Sequence, residues 1–319
     1  MSDCAEIARS LSWECKERGE ADMRAIKKNR YLYLLALPGI LYFVIFKYFP
    51  MWGIVLSFQN YSPYTGLWGS EWVGLDHFRR FFSNPDFWLL FRNTMAINLL
   101  NLTFFFPLPI VLSLMLNELR SEMYKRVLQS ILYLPHFLSW VIIFSLTFLM
   151  FSQSEGIVNK LLIAWGMEPY PFLTDAGIFW GMLTGQSIWK EAGWGTILFL
   201  AAIAGVDLQQ YEAAKIDGAG RFQQMWHITL PAIRSVIVIL FILRLGDIME
   251  VGFEQVFLMY NGAVSNVAEV FDTYVYRVGI QQGQFSYSTA AGLFKSLVGL
   301  VMVVAANRLA KRFGEEGIY

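Results

Sequence analysis

The chain has 319 residues, 56% of them hydrophobic and 16% charged, and its 25 Lys and Arg balance 25 Asp and Glu to a net charge of zero. Soluble domains carry about a quarter charged residues, so a mean hydropathy of +0.44 with 17% aromatics excludes an ordinary soluble core. The zero balance offers nucleic acid no bulk attraction and says nothing else about partners.

Residues 1–30 alternate charges and lack the apolar stretch of a signal peptide, so they are expected to form a cytoplasmic tail, with the first span acting as its own insertion signal. Cys4 and Cys15 both fall in this tail, where disulfides rarely persist. Six apolar segments follow: Tyr31 to Phe58, Asn93 to Leu116, Val127 to Phe151, Ala176 to Val206, Ala232 to Met259 and Tyr287 to Ala306. Asn93 to Asn117 and Val127 to Ser154 contain no Asp, Glu, Lys or Arg. Each is longer than the stretch of roughly 20 residues that crosses a hydrocarbon core. The expected fold is all-α: a polytopic membrane protein whose transmembrane domain covers residues 31–309, followed by a cytoplasmic tail at 310–319.

Short-flank Lys and Arg orient the spans. Lys27, Lys28 and Arg30 before the first span, Arg120, Lys125 and Arg126 after the second, Lys215, Arg221 and Arg234 after the fourth, and Arg308, Lys311 and Arg312 after the sixth share one side. That side is assigned to the cytoplasm, with both termini. Arg79, Arg80, Lys160 and Arg277 are spread over the opposite loops. Trp and Tyr in "NYSPYTGLWGSEW" (60–72) suit headgroup anchoring, with sugar contact the other reading.

In the second span, Asn98 and Asn101 are expected to hydrogen-bond neighbouring helices, and Pro107 and Pro109 to kink it. The fourth carries Trp189, Lys190, Glu191 and Trp194 around Gly193 and Gly195, where a bend is expected. In the fifth, Arg244, Asp247, Glu250 and Glu254 have the spacing of one helical face, and Arg244 and Asp247 could neutralise each other. Charges at this depth mark sites by default. Tryptophan faces with planar polar groups suit an oligosaccharide passage; pairing between spans or with a partner is the competing reading for Lys190, Glu191 and Arg244. Two cations there also hint at acidic sugars such as uronates.

Between spans four and five lies the polar stretch "YEAAKIDGAGRFQQMWHITLP". Good helix formers from Tyr211 to Ile216 stop at Asp217-Gly218, a second helical piece starts at Arg221, and Pro231 suits a first turn. Small exposed side chains at Ala213 and Ala214 let another protein approach, so the loop reads as a docking knob that stabilises nothing in its own chain.

Glu212-Ala213-Ala214, then Gly218 after three intervening residues and Ile228-x-Leu230-Pro231 after nine more, match the EAA loop of the permease subunits of binding-protein-dependent ABC importers. "LPGILYFVIFKYFPMWGIVLSF", "GLDHF", "FRNT" and "YLPHFLSW" also resemble carbohydrate permeases, namely the first-subunit type of the maltose class and its six-span branch for complex oligo- and polysaccharides. The resemblance implies a permease that transports by alternating access, paired with a second permease, two cytoplasmic ATPase subunits that hold ATP and Mg, and an extracytoplasmic sugar-binding protein. It further implies that Glu212 meets a basic group of the ATPase, that Ala213 and Ala214 pack in its cleft, and that Asp217-Gly218 shape the turn. Substrate contacts would come from the segments on either side of the loop: Trp189, Lys190, Trp194, Arg244, Asp247 and Glu250.

No G-x-x-x-x-G-K-[ST] phosphate loop, G-x-S-x-G or H-E-x-x-H occurs, and His77, His136 and His227 are scattered, so neither catalysis nor a metal site is expected. The competing functions are an ion-driven secondary sugar transporter, which would show inverted repeats, and a membrane transferase.

Overall fold

The computed structural model describes residues 29–314 and 317–318, so residues 1–28 of the expected tail, with both cysteines, lie outside the described residues. Two compact units divide the chain at residue 55. Helix α1, Arg30–Phe58, passes Pro38 and a wide turn at Val44–Tyr48, and its residues up to Val55 belong to the first unit.

The main helices of the second unit are, in chain order, α2 Asp76–Ser83, α3 Asp86–Asn117, α4 Glu122–Phe137, α5 Trp140–Phe151, α6 Ile157–Ala164, α7 Phe179–Ala204, α8 Leu208–Ile216, α9 Arg221–Ala232, α10 Arg234–Gly246, α11 Phe253–Met259, α12 Phe271–Tyr276 and α13 Phe285–Arg312. Extended pairing among the described residues is confined to β1 (Gln59–Asn60) and β2 (Glu71–Trp72), antiparallel with Gln59 opposite Trp72. Among the described residues three helices, α1, α3 and α13, are long and apolar enough to cross a bilayer; the number reaches six if each of three bent pairs is one span.

The bent pairs correct the simple span list. Val127 to Phe151 is not one rod: α4 and α5 meet at 101° across Leu138-Ser139. Ala232 to Met259 is interrupted from Asp247 to Gly252, so Arg244, Asp247, Glu250 and Glu254 do not share one helical face. The turn requires Gly252, whose φ of +97° is closed to most side chains. A Cβ there would meet nothing within 4 Å. Gly252→Ala should therefore cost only the backbone strain, about 1–3 kcal/mol. Thermal unfolding of the solubilised complex measures this.

α7, by contrast, runs unbroken through Gly193 and Gly195, and the chain turns by 72° only beyond Ala204. Those glycines permit contact rather than a bend. A Cβ on Gly193 would overlap the Leu132 carbonyl oxygen of α4, and one on Gly195 would stand 2.9 Å from Pro109 Cγ of α3. Small residues play the same part between α10 and α13, where a Cβ on Gly299 would overlap the Gly246 carbonyl oxygen.

Pro107 and Pro109 do not break α3 either. A wide turn at Asn101–Phe105, closed by the Phe106 N–H on the Asn101 carbonyl at 2.9 Å, precedes Pro107. It absorbs the missing donor. The same device recurs in α9, where a wide turn at Met225–Thr229 precedes Pro231.

Three clusters pack the unit. Leu114, Phe199, Ile203 and Ile233 form one beneath the loop between α7 and α10. Ile97, Leu183, Val256 and Val270 centre the second. The third is aromatic, with Phe81, Phe87, Phe271, Tyr274 and Tyr287.

Candidate functional site

The loop between α7 and α10 is built by its own caps. Asp207 accepts a hydrogen bond from the Gln209 N–H at 2.9 Å. This cap starts α8 at Leu208, one turn before the expected Tyr211. Its end is a Schellman arrangement. The Ala219 N–H donates to the Ala214 carbonyl at 2.8 Å and the Gly218 N–H to that of Lys215 at 3.1 Å. Gly218 sits at φ +80°. The Gln223 side-chain oxygen accepts from the Gly220 N–H at 2.8 Å and helps to fix the start of α9.

α8 and α9 are clasped by the Tyr211 hydroxyl and Thr229 Oγ1, 2.8 Å apart. Leu230 packs on the cluster around Leu114 and Ile233, and Ile228 is half-buried. Part of the motif therefore anchors the loop to its own chain, which corrects the expectation of a knob that stabilises nothing there. Glu212, Ala213, Asp217, Gly218 and Pro231 are exposed, and Ala214 is half-buried. Ala214, Asp217, Gly218, Gln224, His227 and Ile228 line a hollow of about 350 Å³. Ile216 is 87% exposed, and Phe222 and Trp226 stack on each other in the open. These are large apolar side chains left exposed on an otherwise polar loop.

The mid-membrane polar residues fall into two groups. Lys190 is 7% exposed. It donates to the carbonyls of His136 and Leu138 at 2.5 and 2.9 Å. These are groups that the break between α4 and α5 releases. Glu191 lies 3.3 Å from the same ammonium and 2.6 Å from His136 Nδ1, while Trp194 stacks on the His136 ring at 4.3 Å. Asn98 serves the second break. Its amide donates to the Ile248 carbonyl at 2.9 Å, and Asp272, paired with Lys295, accepts from the Val251 N–H at 3.1 Å. Asn101 is buried, and its side-chain oxygen has no partner among the described residues.

The other group points outward. Asp247 and Glu250 are exposed on the non-helical link. Arg244 is half-buried over the Phe105 ring at 5.6 Å and forms no ion pair among the described residues, so its expected neutralisation by Asp247 is not realised as a contact. Trp189 lines a different, apolar hollow of about 620 Å³ with Leu146, Met150 and Met182. The six residues expected at the passage thus do not converge on one pocket of this chain.

Residues that the sequence reading missed are the partners of these groups: His136, Asp272 and Lys295, together with Asn93, which donates to the Asn266 and Glu269 carbonyls. "YLPHFLSW" carried the signal, a proline and a polar ring followed by a Ser cap in the middle of an apolar run.

Residues 105–315 match the profile of a family described as binding-protein-dependent transport system inner membrane component. Protein LplB of Bacillus subtilis (strain 168) is 56% identical, the match covering 95% of each chain. The polygalacturonan/rhamnogalacturonan transport system permease protein YteP of the same organism is 55% identical, also over 95% of each. Among solved structures, a chain of a bacterial alginate ABC transporter, crystallised in complex with an alginate pentasaccharide-bound periplasmic protein, superposes with a TM-score of 0.84 at 40% identity, covering 92% of this chain and 99% of that one.

Proposed function

The chain belongs to the family of binding-protein-dependent transport system inner membrane components, and from that premise we propose that it is one of two permeases in an ABC importer of acidic oligo- or polysaccharides, of the maltose-type first-subunit class. The observation that carries this reading is α8. It is a helix fixed by its own caps, clasped to α9, and displaying Glu212 and Ala213 where none of the described residues covers them.

In this reading the loop faces the cytoplasm of a bacterium, as do both termini. The ATPase pair, holding ATP and Mg, closes on Glu212, Ala213, Ala214, Asp217 and Gly218. Ile228, Leu230 and Pro231 pass the motion through α9 into α10. That helix ends at Gly246, and the link to Gly252 is the joint at which the passage changes its exposure. The chain itself makes and breaks no covalent bond.

Charge selects the substrate class. The names of the relatives supply polygalacturonan/rhamnogalacturonan and alginate, which are uronate polymers. Of the two cations expected in the passage, Lys190 is committed to backbone carbonyls, which leaves Arg244 for a carboxylate, while Trp189, Trp194, Asp247 and Glu250 would take ring faces and hydroxyls.

Proteoliposomes holding this chain, the second permease and the ATPase provide the test. Oligogalacturonate uptake should require ATP on the loop side and binding protein on the other. Uptake driven by an ion gradient without the ATPase would discard the reading.

A further inference from the structure

On α2, α12, the start of α13 and the residues that flank them, Arg80, Asn84, Tyr274, Arg277, Gln284 and Tyr287 line a pocket of about 280 Å³. That is near the small end of ligand sites, roughly 300 Å³ upward, and suits one sugar unit rather than a polymer. Both guanidinium groups are laid over tyrosine rings, Arg80 on Tyr287 and Arg277 on Tyr274, at 4.9 and 5.4 Å to the ring centres. The tyrosines are fixed in turn. Asn84 donates to both hydroxyls, at 2.8 and 3.1 Å, and the hydroxyls lie 3.1 Å apart. Burial, then the hydrogen bond to Tyr287, raises the Tyr274 phenol above its usual range, so it stays neutral beneath Arg277.

Two features mark a ligand site. Arg277 Nε and Gln284 Oε1 are buried yet have no hydrogen-bond partner among the described residues, an unusual condition for polar atoms. Glu269, 3.3 Å from Arg277 Nη2, takes that side of the guanidinium and leaves Nε for something else, while Arg80 forms no ion pair among the described residues. Asp86 stands exposed at the rim. An unmatched cation, a free N–H and a free amide oxygen together ask for a planar anion with a hydroxyl close by.

We propose that this pocket receives a single hexuronate unit of the arriving saccharide, its carboxylate between Arg80 and Arg277 Nε and a ring hydroxyl on Gln284 Oε1. The inference rests on the acidic-saccharide reading above and adds to it a reception point outside the membrane passage. Planar guanidinium groups pre-oriented on rings suit bidentate carboxylate recognition, whereas a lysine would supply only a point charge.

The test uses the complete transporter in nanodiscs without its binding protein, titrated with digalacturonate and with its dimethyl ester. The acid should bind more tightly than the ester. Arg80→Gln should weaken the acid about tenfold and leave the ester unchanged, whereas Gln284→Leu, which loses the partner of a ring hydroxyl that both ligands keep, should weaken the acid and the ester alike. Because Arg80 is exposed, its removal leaves the fold intact; Arg80→Lys should recover part of the loss. Equal binding of acid and ester, or variants that bind the acid as the wild type does, would overturn the proposal. So would variants that alter only the docking of sugar-free binding protein, since the pocket would then serve a protein carboxylate. Wild-type uptake of oligogalacturonate, measured separately, tells loss of this site from loss of the functional reading itself.

Discussion

Glu212→Lys should cut uptake by on the order of 100-fold, or ~2.7 kcal/mol, while the chain inserts and pairs with its partner permease at wild-type levels. Glu212 is exposed and forms no ion pair among the described residues. Its own fold therefore loses little, within about 0.5 kcal/mol. On the docking role proposed for α8, the loss falls instead on a partner. Reversing a charge against a basic group at a docking face converts attraction into repulsion of several kcal/mol.

Gly218→Asp should give the same phenotype by another route. Gly218 holds φ +80°. A side chain in that left-handed region strains the turn by about 1–2 kcal/mol, and a second acid beside Asp217 fills the rim of the hollow. Gly218→Asn, which tolerates the left-handed region far better, should keep much of the activity. Insertion is read by protease protection, ATPase binding by co-purification and transport by labelled sugar uptake. Normal import by both Glu212→Lys and Gly218→Asp would remove the docking assignment.

The turn in the loop between α7 and α10 was legible because its signals are local. Asp217-Gly218 constrains the backbone locally, and the turn that ends α8 lies where it puts it, whereas the N-cap Asp207, which the motif does not contain, starts the helix one turn early. The mid-membrane charges were not legible, because their meaning is tertiary. The apolar run from Val127 to Phe151 looks unbroken to any hydropathy window, and only the folded chain shows that it turns by 101° at Leu138-Ser139. A break in hydrocarbon leaves carbonyls that water cannot reach, and the nearest donor to them is Lys190 on another span. Asn98 at Ile248 and Asp272 at Val251 repeat that logic for the fifth segment. The glycines misled for the same reason: Gly193 next to Gly195 spells flexibility in isolation, whereas in the fold each meets a neighbour's atoms too closely to carry a Cβ.

Lys190→Met should therefore act on stability before it acts on substrate. Its ammonium satisfies two carbonyls at the α4–α5 break. An unsatisfied buried acceptor costs about 1–3 kcal/mol. Glu191 would keep His136 as its remaining partner. A loss of about 3 kcal/mol follows from these magnitudes, visible as a lower unfolding temperature of the solubilised complex and a reduced yield of the assembled transporter. Uptake per assembled complex should change equally for neutral and acidic sugars. Lys190→Arg keeps donors at the break but must fit a larger planar head into a buried site, so it should recover only part of the stability.

Gly193→Ala gives an independent measure of the same joint. Its methyl group would overlap the Leu132 oxygen, so α4 must move away from α7 and carry the His136 and Leu138 carbonyls out of reach of the lysine. If the break is held as described, the losses from Lys190→Met and Gly193→Ala will be strongly non-additive, because either change alone opens the joint. Were Lys190 instead a substrate cation, Lys190→Met would leave unfolding and assembly untouched and raise the KM for acidic sugar alone, and the double variant would show additive losses.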